Sequence, residues 1–187
     1  MEQFKAVLAE FEGYGGKGIV YGGCLRDTLC NATPIKDIDI AVKNGWMGEL
    51  AIDAFAKAVP GTERIVQHIG YGDFPDVDKS VEVIRPGQLP VNFVVLSPDF
   101  PFTLKDVAER CDFGICQVSM GSSGEVYKSP AFLNDYRQYT FTYLRETTNT
   151  TQVDRSVRRY YRLADKYEGW LLRGALAPLE DYLLEDL

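Results

Sequence analysis

Val20-Tyr21-Gly22-Gly23-Cys24-Leu25-Arg26-Asp27, followed after a short loop by Lys36-Asp37-Ile38-Asp39-Ile40-Ala41, decides how this chain of 187 residues is read. Gly18-Ile19-Val20-Tyr21 is a short apolar run between glycines and predicts a strand. Two glycines after a strand let the backbone turn approach a ligand closely. A helix predicted from Cys24 to Cys30 directs its free N–H groups and positive dipole end to the same place, which is a seat for phosphate. Taken alone, such a glycine pair is more often an ordinary turn. In the second stretch charged and apolar residues alternate, which predicts a half-buried strand over Lys36–Val42. Asp37 and Asp39, two residues apart, share one face, and Ile38 and Ile40 turn to the core. Paired carboxylates suit hard cations such as Mg²⁺. Two such ions about 3.5–4 Å apart activate an attacking hydroxyl and stabilise a departing pyrophosphate. An isolated D-x-D is more often a solvent-facing stripe.

Around this centre the periodicity predicts helices over residues 2–12, Trp46–Val59, Thr103–Arg110 (Thr103 as N-cap) and about Thr151–Tyr167. A last helix, Gly169–Leu184, is interrupted at Pro178. Strands are predicted at Arg64–Ile69, Val81–Arg85, Val91–Leu96, near Val126 and at Tyr139–Leu144, where Tyr139, Phe141 and Tyr143 mark one strand face rather than a stacking platform. The order is mixed, so the expected class is α+β, a mixed sheet flanked by helices. Gly121-Ser122-Ser123-Gly124 is the candidate boundary between a catalytic head (1–120) and a mainly helical C-terminal extension (121–187).

The composition, 45% hydrophobic and 25% charged, excludes disorder and collagen-like repeats. The start, Met1-Glu2-Gln3, has neither the basic residues nor the apolar stretch of a secretory signal, and no apolar run spans a membrane, so a cytoplasmic protein is expected. Cys24, Cys30, Cys111 and Cys116 form no CxxC pair and His68 is the single histidine, which argues against structural zinc and for reduced, mostly buried thiols and a structural or surface His68. Asp73, Asp76 and Asp78 read as a solvated acidic loop. The net charge of −7 confines any nucleic-acid contact to a local patch, and residues 137–173 are the basic part of the chain.

The run Gly22-Gly23-Cys24-Leu25-Arg26-Asp27-Thr28-Leu29-Cys30-Asn31 followed by Asp37-Ile38-Asp39 resembles the catalytic head of the polymerase-beta-type nucleotidyltransferases. More narrowly it is similar to bacterial tRNA nucleotidyltransferases (CCA-adding enzymes) and related poly(A) polymerases, with their GG-x-V-R-D-x-L-L-G signature and D-x-D strand. Glu109-Arg110-Cys111-Asp112-Phe113-Gly114-Ile115-Cys116 is similar to the family's R-R-D-F-T-I-N-A segment. It keeps Arg110, Asp112, Phe113 and Ile115 and lacks the second arginine, the threonine and the asparagine. The resemblance covers roughly residues 18–120. It implies that Gly22 and Gly23 cradle a triphosphate with Arg26 near it, that Asp37 and Asp39 hold Mg²⁺ or Mn²⁺, and that Arg110 and Asp112 shape the floor of the nucleotide pocket. It also implies an NTP substrate and an RNA or tRNA 3′ end as the acceptor.

Two departures stand out. The family's third carboxylate falls at Asn92, with Glu82 as the alternative if the strand alignment slips. The neck motif E-D-x-x-R has only Asp154-Arg155-Ser156-Val157-Arg158 as a counterpart, without its E-D pair. Arg155, Arg158 and Arg162 fall at i, i+3 and i+7, a stripe that contacts nucleotide phosphates or an RNA backbone, or else pairs with Asp154, Asp165 and Glu168 as a solvated face. Three functions follow as expectations: a metal-dependent transferase of NMP to a hydroxyl, a nucleotide- or RNA-binding module of the same fold, and a transferase to a protein or small-molecule acceptor. The sequence leaves the oligomeric state open.

Overall fold

The computed structural model describes residues 1–68, 74–146 and 149–174. The elements are α1 (Glu2–Gly13), β1 (Gly18–Tyr21), α2 (Gly23–Leu29), β2 (Ile38–Val42), α3 (Trp46–Lys57), β3 (Glu63–His68), β4 (Val77–Ile84), β5 (Val91–Leu96), α4 (Leu104–Glu109), β6 (Val118–Met120), β7 (Val126–Lys128), α5 (Pro130–Gln138), β8 (Thr140–Tyr143), α6 (Thr150–Lys166) and β9 (Leu171–Gly174). Seven strands form one sheet in the order β3-β4-β5-β2-β1-β6-β7. Among the described residues only the β2–β5 pair in it is parallel, so the sheet is mixed, and β8 and β9 make a separate parallel pair.

Strand alternation decides which face carries what. Ile38, Ile40, Val42, Val81, Val83 and Phe93 face α1 and α3, whose Phe4, Leu8, Phe11, Ile52 and Phe55 close that side. Phe11, Phe55 and Phe93 meet ring to ring with centroids 4.8–6.5 Å apart. The other face is apolar only in part: Ile19, Tyr21, Ala41, Val94 and Leu96 pack under Val107 of α4 and Phe74. What remains open on that face is the place of Asp39.

The segment beyond Gly121 does not stand apart. Gly121–Gly124 is the turn of the β6–β7 hairpin, inside the seven-stranded sheet. Phe132, Phe141, Val153, Val157, Leu163 and Tyr167 join the same buried cluster as Phe4 and Ile40. A glycine-serine turn that joins two adjacent strands has the same composition as a linker, which is why the sequence alone reads it as a boundary. The extension is also less helical than expected: Leu171–Gly174 pairs with β8 as a strand, and the rest of the expected last helix, with Pro178, lies outside the described residues. Helix α5 was not foreseen, although Ser129 accepts from the Phe132 N–H at 3.0 Å and Pro130 opens the first turn. Thr103 caps α4 as expected. Phe141 and Tyr143 are buried on β8, whereas Tyr139 precedes the strand in a left-handed conformation and is 63% exposed against Trp170. The cysteines are free thiols, and Cys24 and Cys116 are buried. The side chain of His68, and Asp73, lie outside the described residues.

Asp135 ties this part together. Its fully buried carboxylate accepts from the Ile115 N–H at 2.8 Å, the Thr142 N–H at 2.9 Å and the hydroxyls of Thr140 and Thr142 at 3.0 and 2.6 Å. Asp135→Ala strands four donors at once and is expected to cost about 3 kcal/mol, or roughly 6–12 °C in Tm. Asp154→Ala on the exposed side of α6 is expected to cost under about 0.5 kcal/mol. Thermal unfolding of both variants checks this.

Candidate active site

The site is built on the open face of the sheet. The parallel register sets Asp39 opposite Asn92, and the antiparallel one sets Asn92 opposite Glu82. Asp37 stands one step before β2, where the Ile38 N–H donates to the Pro90 carbonyl at 2.9 Å, so both acids project from the face opposite Ile38 and Ile40. The Asn92 amide donates from Nδ2 to Asp39 Oδ1 at 2.9 Å. Burial, and then the neighbouring Asp37, push the Asp39 carboxyl up to about 6, against the pull of Asn92 and the more distant Arg159 and Arg110. No lysine or arginine forms an ion pair with either acid among the described residues. Two neighbouring carboxylates, one of them desolvated and both without a cationic partner, are a donor set that fits a divalent cation. Glu82 sits beside Asn92 but does not line the cleft, and no cluster of three acidic, histidine or cysteine ligands exists among the described residues.

The cleft above these acids has a volume of about 610 Å³. At one end lies the Gly22–Gly23 turn. Gly22 sits at φ +72°, a conformation that favours glycine. Its N–H is already given to the Val118 carbonyl at 2.9 Å, so this amide extends the β1–β6 pairing and is not available to a ligand. At the other end lie Gln67, Ser80, Val77 and Phe74.

Helix α6 is the opposite wall. Arg155, Arg159, Arg162 and Lys166 recur at i, i+4, i+7 and i+11 and all line the cleft. This row is about 16 Å long at 1.5 Å per residue. Two buried carboxylates hold it in place. Asp112, 1% exposed, bonds Arg159 and accepts from Ser156 Oγ at 2.6 Å. Burial raises its pKa, but Arg159 and the Ser156 hydrogen bond outweigh that and hold it below the usual carboxylate range. Asp27, 4% exposed, takes Arg26 at 2.6 Å, Lys166 Nζ at 2.5 Å and the Tyr167 hydroxyl at 2.6 Å.

The structure therefore brings Gly22, Gly23, Arg26, Asp37, Asp39, Asn92, Arg110 and Arg155 to one cleft. Arg26 is 8% exposed and bonds Asp27, the Cys116 thiol at 3.0 Å and the Tyr167 hydroxyl at 3.2 Å, so it joins α2 to α6 more than it faces a ligand. Arg110 is held by Asp76 at 2.7 Å and donates to the Tyr21 hydroxyl at 3.0 Å, which also makes Asp76 an ion-pair partner rather than part of a solvated loop. Asp112 lies beneath the cleft and positions Arg159. Arg158 is not at the cleft: its side chain is 75% exposed and pairs with Asp154 at 3.0 Å. The sequence reading missed Arg159 and Lys166, which the i+4 and i+11 spacing picks out in place of i+3. It also missed Arg145 and Phe74: the Arg145 and Arg155 guanidiniums lie 5.2 and 4.9 Å from the Phe74 ring centre.

No family model and no curated protein matches the sequence. Solved structures do match the fold. A CCA-adding enzyme in complex with CTP has a TM-score of 0.65 at 21% identity over 100% of this chain and 44% of that one. The complex of a CCA-adding enzyme with ATP has a TM-score of 0.64 at 18% identity over 98% and 41%. The apo form I of a tRNA-processing enzyme has a TM-score of 0.61 at 22% identity over 98% and 45%. This chain spans less than half the length of these structures. It has their α+β nucleotidyltransferase-type fold.

Proposed function

We propose that this protein is a metal-dependent nucleotidyltransferase that moves NMP from an NTP to a hydroxyl acceptor and releases pyrophosphate, acting in the cytoplasm. The observation that carries this reading is the cation-poor Asp37–Asp39 pair facing the arginine row of α6 across one cleft. The row is longer than a triphosphate. Lys36, Arg155 and Arg162 in the cleft pair with no carboxylate among the described residues and are placed to meet phosphate oxygens, whereas Arg145 donates to the Arg110 carbonyl at 3.0 Å. Arg159 and Lys166 are pre-set by Asp112 and Asp27 and add fixed positive charge.

In the transfer, the acceptor oxygen bonds to the α-phosphorus, the bond to the bridging oxygen of the β-phosphate breaks, pyrophosphate leaves and the acceptor proton passes to solvent. Asp37 and Asp39 would hold a Mg²⁺ or Mn²⁺ ion, which would supply charge neutralisation at the phosphoryl groups. The cationic row orients the triphosphate and holds the leaving pyrophosphate. The first acceptor to consider is an RNA 3′ end, in line with the tRNA-processing and CCA-adding structures that share the fold. Asn92 favours one second reading, a nucleotide- or RNA-binding module without turnover, because an amide brings no charge and takes no proton.

Incorporation of α-labelled ATP or CTP into bulk tRNA lacking its 3′ end is expected with Mg²⁺ or Mn²⁺. Asp37→Ala and Asp39→Ala are expected to reduce it at least about 1,000-fold with unfolding curves intact. Equal activity in the variants overturns the transferase reading, and NTP binding without incorporation into RNA, protein or small molecule selects the binding module. In equilibrium binding, Arg162→Ala is expected to weaken NTP about tenfold and Arg158→Ala less than about twofold. The reverse order removes α6 as the phosphate wall.

A further inference from the structure

We propose that the Asp37–Asp39 site holds one divalent cation, not two, because Asn92 sets a hydrogen-bond donor where a second ion needs a charged ligand. This rests on the nucleotidyltransferase reading and specifies its metal site. Asn92 stands directly across the parallel ladder from Asp39. Its Nδ2 donates to Asp39 Oδ1 at 2.9 Å. Turning the amide over sets oxygen against carboxylate oxygen, so the donor orientation is the one the pair requires. The N–H thus occupies an Asp39 lone pair on the β5 side, and the amide adds no negative charge.

Among the described residues no other carboxylate makes up the difference: Asp27, the further acid in the cleft lining, is taken by Arg26 and Lys166. Glu82 shares the level of Asn92 on the next strand but is absent from the cleft lining. No three-ligand acidic, histidine or cysteine cluster is present among the described residues. Two dications repel four times as strongly as two unit charges at the same distance. Against them the protein sets two carboxylates, and Arg110 and Arg159 already act on Asp39 from the cleft side. One ion accompanying the triphosphate draws on Asp37, the free side of Asp39 and the phosphates. A second ion on the acceptor side, away from the phosphates, has no such supply.

Manganese counting tests this on the intact chain. Protein saturated with an equimolar α,β-methylene analogue of ATP or CTP is titrated with MnCl₂, and free Mn²⁺ is followed by electron paramagnetic resonance. One Mn²⁺ per chain is expected for the wild type and for Asn92→Ala and Glu82→Gln, and two for Asn92→Asp. Two ions in the wild type overturn the proposal whatever the variants do, so it does not depend on Asn92→Asp folding. One ion in a folded Asn92→Asp, or a loss of Mn²⁺ in Glu82→Gln, also overturns it while leaving the nucleotidyltransferase reading in place. Failure of the wild type to bind either the analogue or Mn²⁺ overturns both.

Discussion

Two buried carboxylates, Asp27 and Asp112, hold α6 across the open face of the sheet, and the cleft exists because they do. A carboxyl group that is 1–4% exposed needs cations or hydrogen-bond donors around it to offset its burial. Asp112 takes Arg159 and Ser156 from the middle of the helix. Asp27 takes Lys166 and Tyr167 from its end. Each acid comes from the sheet side of the molecule and each takes partners from α6 or its C-cap, so the helix is fixed at two points along its length, and Asp27 also holds Arg26 of α2. Removing Asp27 leaves the buried Arg26 without its carboxylate, and removing Asp112 leaves the half-buried Arg159 and the buried Ser156 hydroxyl without their acceptor.

This bracing explains how a chain with a net charge of −7 presents a basic cleft. The acids spent on α6 are buried and face the cations that need fixing, and the unpaired cations line the cavity. Walls of one sign in a sheltered groove concentrate the field on whatever enters. Within that field Asp37 and Asp39 are a local negative point with no lysine or arginine partner among the described residues. A triphosphate that brings a divalent cation satisfies both parts at once. The glycine turn plays a narrower role than its motif suggests, since the Gly22 amide is committed to Val118.

The D-x-D strand, the glycine turn and the neighbour Asn92 were legible because each depends on local spacing or on one strand pairing. The Gly121–Gly124 turn was not, because a hairpin turn and a linker share a composition and only the pairing of β6 with β7 separates them. The Leu171–Gly174 strand was hidden for a related reason: its partner β8 lies about thirty residues earlier, and short parallel pairing leaves no period to read. On α6 the basic residues were visible but their face was not. Arg158 and Arg159 are adjacent in sequence, and only the positions of Asp112 and Asp154 decide that Arg159 turns inward and Arg158 outward.

The central claim is that an NTP lies between the Asp37–Asp39 pair and the α6 row. A crystal structure of the protein soaked with MnCl₂ and an α,β-methylene NTP tests it most directly. The account predicts manganese anomalous density touching both Asp37 and Asp39, with the phosphates in contact with Arg162 or Arg155. Nucleotide density elsewhere on the chain, or manganese away from Asp39, contradicts it.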